Sequence, residues 1–297
     1  MEFGGQMSLF DMGSSQFKID KPLRVVELFA GYGSQSLSLK YLGVPFEHWK
    51  ISEWATKSIQ AYKDIHFTND TFDSKDVSIS EIKQWLKGKI SLDYSNPLSD
   101  EKIDKMLEKD LRTIYENMQI THNLGSVCGI KGGQLEIVDK DKYCYLLTYS
   151  FPCQDLSLAG KGAGMQKGSG TRSGLLWEVE RILDELNETN QLPHILLMEN
   201  VPQVHGENNK DDWYAWLNKL DELGYQSYYQ DLNATNYGVP QRRERCFCVS
   251  VPKGFYYDFP KPFKLEKRLK DVLEKNVDNK YYLTESKIEQ ISKWNAQ

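Results

Sequence analysis

An apolar run from Tyr143 to Tyr149 ends in Ser150-Phe151-Pro152-Cys153-Gln154-Asp155-Leu156-Ser157, and this junction constrains the chain more than any other stretch. A short run of that composition reads as a buried strand. A proline beside a cysteine just past a strand end fixes one backbone torsion. It holds the thiol at the C-terminal edge of a sheet, where open α/β folds keep their ligands. That is a suitable position for a nucleophile. For the pair alone, a buried cysteine next to a turn proline is the plain alternative, so the neighbouring segments decide.

Further apolar runs have the same form. Leu23 to Phe29 leads into Ala30-Gly31-Tyr32-Gly33-Ser34 and a helical pattern through Leu37, Tyr41 and Leu42. Such a strand, glycine turn and helix bring backbone close to a ligand and offer it the unpaired N–H groups of a helix start. Val44 to Ile51 ends at Glu53-Trp54, where a doubly wound nucleotide site places its ribose-binding acid. Trp54 can stack on a purine there. Equally, Glu53 can cap the helix Ala55 to Tyr62 while Trp54 fills core. Asp76-Val77 reads as the end of a third strand on the same edge, its carboxylate able to accept a hydrogen bond from a purine amino group.

His194 to Met198 ends at Glu199-Asn200-Val201-Pro202. A carboxylate at that strand end, beside the Cys153 segment, can hold or hand over a proton, or can serve as a salt bridge inside the fold. After the turn Tyr237 to Pro240, Arg243 and Arg245 alternate into the strand Cys246 to Val251. Alternation puts both on one face, where they can meet the same carboxylate or phosphate. Glycine-rich 159–170 reads as a mobile catalytic loop. Residues 78–142 read as a charged helical insertion without cofactor-like features.

With 297 residues, 40% hydrophobic and 27% charged, the chain can bury one large core plus an appendage, or two modest domains. The five cysteines form no C-x-x-C pair and no grouping with the histidines that suggests a metal site. Free thiols, no metal and a cytoplasmic setting are therefore expected. No apolar run approaches a membrane span, and the N-terminus lacks the basic-then-apolar pattern of a signal peptide. The net charge of −5 argues mildly against a nucleic-acid partner, although a local basic patch can sit on an acidic whole.

Taken together, these segments resemble the DNA (cytosine-5) methyltransferases. Glu27-Leu28-Phe29-Ala30-Gly31-Tyr32-Gly33 resembles the family's cofactor loop, Ser150 to Ser157 its catalytic Pro-Cys-Gln segment, Glu199-Asn200-Val201 its proton-donor segment, and Gln241-x-Arg243-x-Arg245 its paired arginines. The resemblance covers roughly residues 22–260, and its motifs agree in order and spacing. It implies an α/β, doubly wound, mostly parallel Rossmann-like sheet that binds S-adenosyl-L-methionine, acts on duplex DNA and releases S-adenosyl-L-homocysteine. Cys153 would be the nucleophile, in a catalytic group with Gln154, Glu199, Arg243 and Arg245. Phe29, Ala30, Gly31, Gly33, Ser34, Glu53, Trp54, Asp76, Val77, Pro152 and Leu175 would form the cofactor site.

Ser34 stands where the family usually has another glycine, and residues 78–142 lengthen a normally short connection. The organisation expected is a tail at 1–21, a catalytic domain at 22–260 and the start of a C-terminal region at 261–297. Family members continue into a target-recognition part, so the chain is expected either to be a piece of a longer one or to work with a second polypeptide. A tRNA cytosine-5 methyltransferase and a non-catalytic half-enzyme are the alternative readings. In the tail, Gln6-Met7-Ser8-Leu9-Phe10 resembles the short peptides that bacterial replication and repair proteins insert into the sliding clamp, which suits a bacterial or phage-encoded protein.

Overall fold

The computed structural model describes residues 15–156 and 164–294. The peptide Gln6-Phe10 and residues 157–163 of the glycine-rich stretch lie outside the described residues. The chain divides into two compact units, Met1–Leu232 with Glu244–Pro260, and Asn233–Arg243 with Lys261–Gln297.

The larger unit is built on a sheet of β2 (Leu23–Leu28), β3 (Phe46–Ser52), β4 (Cys144–Tyr149), β5 (Ile195–Asn200), β6 (Tyr225–Asn233) and β7 (Glu244–Pro252), in the order β3-β2-β4-β5-β7-β6. Strands β3, β2, β4 and β5 run parallel, and β7 is antiparallel to β5. This is the expected mostly parallel α/β sheet. Each residue of β2 and β4 is buried; β4 therefore reads as a nearly continuous apolar run rather than an alternating one, while β2 buries Arg24 and Glu27 among its apolar residues. A short pair, β1 (Ser15–Gln16) with β8 (Phe255–Tyr256), lies outside the main sheet.

The helices α1 (Ser34–Tyr41), α2 (Thr56–His66), α6 (Leu176–Glu188) and α7 (Lys210–Glu222) accompany the sheet. On α6, Leu176, Val179, Ile182, Leu183 and Leu186 are buried, the three-and-four spacing of a helix that covers a sheet. They pack in one core with Leu147, Leu196, Trp213 and Trp216. A second core joins Ile59 of α2 to α3 (Ile79–Leu86), α4 (Asp100–Lys105) and α5 (Glu108–Ile120) through Ile82, Leu86, Ile103 and Leu111.

One expectation fails here. Asp76-Val77 does not end a strand: it lies in a turn before α3, with Asp76 exposed and Val77 packed against the helical core. The cause is local, because Ser78 and Glu81 form a reciprocal capping box that starts a helix at Ile79. The place beside β3 is taken by Asn123, which bridges Ile51 in parallel sense.

In the smaller unit, α8 (Glu285–Trp294) follows short single turns. Among the described residues no helix is long and apolar enough to cross a membrane.

Candidate active site

The glycine turn after β2 is fixed by contacts to its neighbours. Gly33 has a φ of 74°, and a Cβ there would lie 2.3 Å from His66 Nε2 and 2.6 Å from Tyr62 Cε2. Only glycine fits. Behind it the fully buried Glu27 accepts hydrogen bonds from Ser36 Oγ and Tyr62 OH, both at 2.6 Å. This network ties α1 and α2 to the sheet, and burial raises the Glu27 carboxyl pKa. Phe29, at the strand end, takes a φ of 56°, a left-handed conformation that non-glycine residues adopt at a cost and that clusters at functional sites.

The Glu53 carboxylate is held by two backbone N–H groups. One carboxylate oxygen accepts the Ala55 N–H at 2.7 Å, next to the start of α2, and the other accepts the Gly31 N–H at 2.9 Å. Burial pushes its pKa up, against the lowering effect of the backbone N–H groups of Ala55, Gly31 and Trp54. The backbone on either side is held by Asn123, whose side chain accepts from Glu53 N–H and donates to Glu53 C=O.

A cavity of about 620 Å³ opens beside these residues. Of the expected cofactor residues, Phe29, Glu53, Trp54, Pro152 and Leu175 line it, as does Gln154 from the expected catalytic group. Ala30, Gly31, Gly33 and Ser34 shape the turn, and Asp76 and Val77 have no part in the lining. Sequence reasoning missed Gly125 to Gly129, which supply the wall assigned to Asp76, and Tyr94, Ser95 and Pro97 from within the supposed featureless insertion. Thr171 and Arg172 complete the wall on the side of the Cys153 segment.

That segment is pinned along its length. Ser150 Oγ accepts from Gln35 on α1, Phe151 C=O from the Asn200 amide, and Pro152 C=O from Ser173 Oγ, at 3.0, 3.0 and 2.7 Å. Asp155 Oδ2 accepts the N–H groups of Arg172 and Ser173 at 2.8 and 3.3 Å. Between these anchors Cys153 is half-buried, a free thiol. Residues Tyr149 and Met198 are register partners, so the Cys153 segment leaves the sheet next to Glu199.

Glu199 pairs with Arg245, Oε1 to Nε at 3.1 Å, and both side chains are about one-fifth exposed. The pairing follows from register: Glu199 lies opposite Phe247, and Arg245, two residues before it, shares that face. Arg243 does not share this alternation. Strand β7 begins at Glu244, and Arg243 is exposed in the smaller unit with its carbonyl accepting the Ala234 N–H.

On the other face of β7 the buried Cys246 meets His205 and Asp231, with ligand-type atoms within 4.8 Å of one another. His205 Nε2 lies 3.0 and 3.1 Å from the Asp231 carboxylate oxygens. These groups partner one another as a hydrogen-bonded cluster.

The family model for C-5 cytosine-specific DNA methylases matches residues 97–297. The orphan methyltransferase M.SssI of Spiroplasma monobiae is 39% identical over 278 residues, covering 90% of this chain and 71% of that protein. The type II methyltransferase M2.ScrFI of Lactococcus lactis subsp. cremoris is 36% identical over 270 residues with the same coverage. Among solved structures, S. pombe Dnmt2 methyltransferase superposes with a TM-score of 0.56 at 17% identity, over 93% of this chain and 67% of that one. That likeness shows the fold. The sequence relatives and the matched model show more: this chain belongs to the C-5 cytosine-specific DNA methylases, enzymes that place a methyl group on carbon 5 of cytosine in DNA.

Proposed function

We propose that methyl transfer runs through a covalent adduct between Cys153 and a cytosine flipped out of duplex DNA, with S-adenosylmethionine held in the cavity beside it. The observation that carries this is the pinned segment Ser150 to Asp155. It lends Pro152 and Gln154 to the cavity wall and is bonded through Phe151 to Asn200, the neighbour of Glu199. The cavity suits a nucleoside: Phe29 and Trp54 offer aromatic faces and Glu53 offers acceptor oxygens.

When bound there, S-adenosylmethionine supplies an electrophilic methyl group on a sulfonium. Cytosine carbon 5 is a poor nucleophile. Once the Cys153 thiol has lost its proton to solvent, the thiolate adds to carbon 6 while Glu199 protonates ring nitrogen 3. The resulting enamine is nucleophilic at carbon 5, which takes the methyl. Removal of the carbon-5 proton by a base, cleavage of the carbon 6–sulfur bond and return of the nitrogen-3 proton to Glu199 then restore the ring, the thiolate and the acid. Arg245 orients Glu199 and the base, Arg243 meets a phosphate, and Gln154 helps shape the pocket of the flipped base.

In the proposed organisation residues 22–260 are the catalytic domain, 78–142 an insertion and 261–297 a C-terminal region that meets DNA. The smaller compact unit holds eleven Lys and Arg against six Asp and Glu, a basic excess in a chain whose total is −5. Phosphate contacts favour such an excess. The tail peptide Gln6-Phe10 is proposed to dock on a bacterial sliding clamp.

The test uses duplex DNA of mixed sequence containing 5-fluorocytosine, whose fluorine cannot leave as a proton does. With S-adenosylmethionine the parent chain should form an adduct that survives denaturing electrophoresis, and Cys153→Ser should form none. Methylation of ordinary DNA by a parent that never forms the adduct would refute the covalent route. Labelled methyl appearing in tRNA rather than DNA would move the substrate.

A further inference from the structure

We infer that the loop Ser91–Pro97 is the outer wall of the cofactor site and that Tyr94 binds the adenosine part of the cofactor. The inference rests on the assignment of the cavity to S-adenosylmethionine. Tyr94, Ser95 and Pro97 line that cavity together with Phe29 and Trp54, although they come from a stretch whose charged, loop-like sequence gives no sign of it.

Three features set this loop apart from an ordinary surface turn. First, it is clipped to the segment that carries Glu53 and Trp54: the Ser91 N–H donates to Trp54 C=O at 2.7 Å, and the Thr56 N–H to Ser91 C=O at 3.0 Å. Second, Tyr94 takes a φ of 61°, a left-handed conformation that L side chains hold only where the surroundings over-determine it. The surroundings here are built for that purpose. The Asp93 carboxylate accepts the N–H groups of Ser95 and Asn96, both at 2.9 Å, and these backbone bonds hold its pKa down at about 2. Ser91 Oγ closes the loop by donating to Asn96 C=O at 2.6 Å. Third, the far side of the loop reaches the catalytic segment. Arg172 Nη1 lies 3.4 Å from Ser95 Oγ, and the Arg172 N–H is held by Asp155.

Tyr94 is nevertheless 45% exposed. A strained, tightly braced backbone therefore serves to hold an aromatic ring at the rim of an open cavity. Such a ring gains its burial when a nucleoside enters, and aromatic faces are the surfaces on which a purine stacks.

The experiment titrates S-adenosylhomocysteine, the stable product, into the full chain by calorimetry, with Phe29→Ala as the reference for the cavity. Tyr94→Ala should weaken binding roughly tenfold, and Tyr94→Phe should bind within about twofold of the parent. Tyr94→Asn, a residue at ease in the left-handed region, removes the ring while sparing the backbone and should match Tyr94→Ala. Parent affinity in Tyr94→Asn overturns the inference, because the ring would then not be the binding element. Loss with Phe29→Ala alone overturns the role of Tyr94 and leaves the cavity assignment standing. Affinity unchanged by both substitutions removes the cavity assignment and the inference with it.

Discussion

Replacing Gly33 by alanine should be the most damaging single-methyl change in the glycine turn after β2. The new Cβ would lie 2.3 Å from His66 Nε2 and 2.6 Å from Tyr62 Cε2. Tyr62 cannot retreat, since it is fully buried and its hydroxyl is held by Glu27 at 2.6 Å and His48 Nδ1 at 3.0 Å. A left-handed φ costs an L residue about 1 kcal/mol, and forcing a methyl into packed surroundings adds about 2 kcal/mol. The sum is about 3 kcal/mol, roughly 6 °C of melting temperature for a unit of this size. Gly31 supplies the control. It is also left-handed, with φ 54°, but a Cβ there meets nothing within 4 Å, so Gly31→Ala should lose only about 1 kcal/mol. Urea unfolding followed by circular dichroism measures both midpoints. Equal losses in the two variants would refute the claim that packing against Tyr62 and His66, rather than backbone conformation, requires glycine at 33.

Glu199→Gln should slow single-turnover methylation about a hundredfold with little change in melting temperature, because an amide oxygen can still face Arg245 but the side chain no longer manages a proton. A rate equal to the parent's would make Glu199 a structural residue. A labelled peptide spanning Gln6 to Phe10 should bind a purified bacterial sliding clamp with a Kd on the order of micromolar. Absence of saturation, or equal binding after Leu9 and Phe10 are changed to alanine, would return the segment to an ordinary tail.

The strands that carry the site are legible in the sequence because a strand buried on both faces leaves an unbroken apolar run, and the polar residue that ends it marks the sheet edge. Cys144–Tyr149 and Ile195–Asn200 announce themselves this way, whereas Leu23–Leu28 also buries Arg24 and Glu27. Glu53 is legible for the same reason, although its two roles, bracing Gly31 and the α2 start, are not separable without coordinates. The third edge position is not legible. Asn123 makes a single bridge to Ile51 and has no apolar run of its own, whereas Asp76-Val77 imitates a strand end while sitting before a capping box. The signal that could have overruled it was Ser78-x-x-Glu81, a helix start three residues too early for a strand exit. Arg243 shows the limit of alternation, since periodicity says nothing about the residue at which a strand begins. Tyr94 had no signal at all, because its place at the cavity depends on a clip between Ser91 and Trp54, far apart in sequence.

The reversal of β7 bears on how the chain matures during synthesis. Because β7 runs antiparallel to β5, its first residues, not its last, arrive beside Glu199. Until the ribosome has released residues well past Arg245, β5 is an uncovered strand edge whose N–H and C=O groups are open to any passing chain. Completion of β7 closes that edge and delivers the counter-charge of Glu199 in one event. A nascent chain thus gains protection from aggregation at the moment it gains the Glu199–Arg245 pair, and a fragment ending at Leu232 would gain neither.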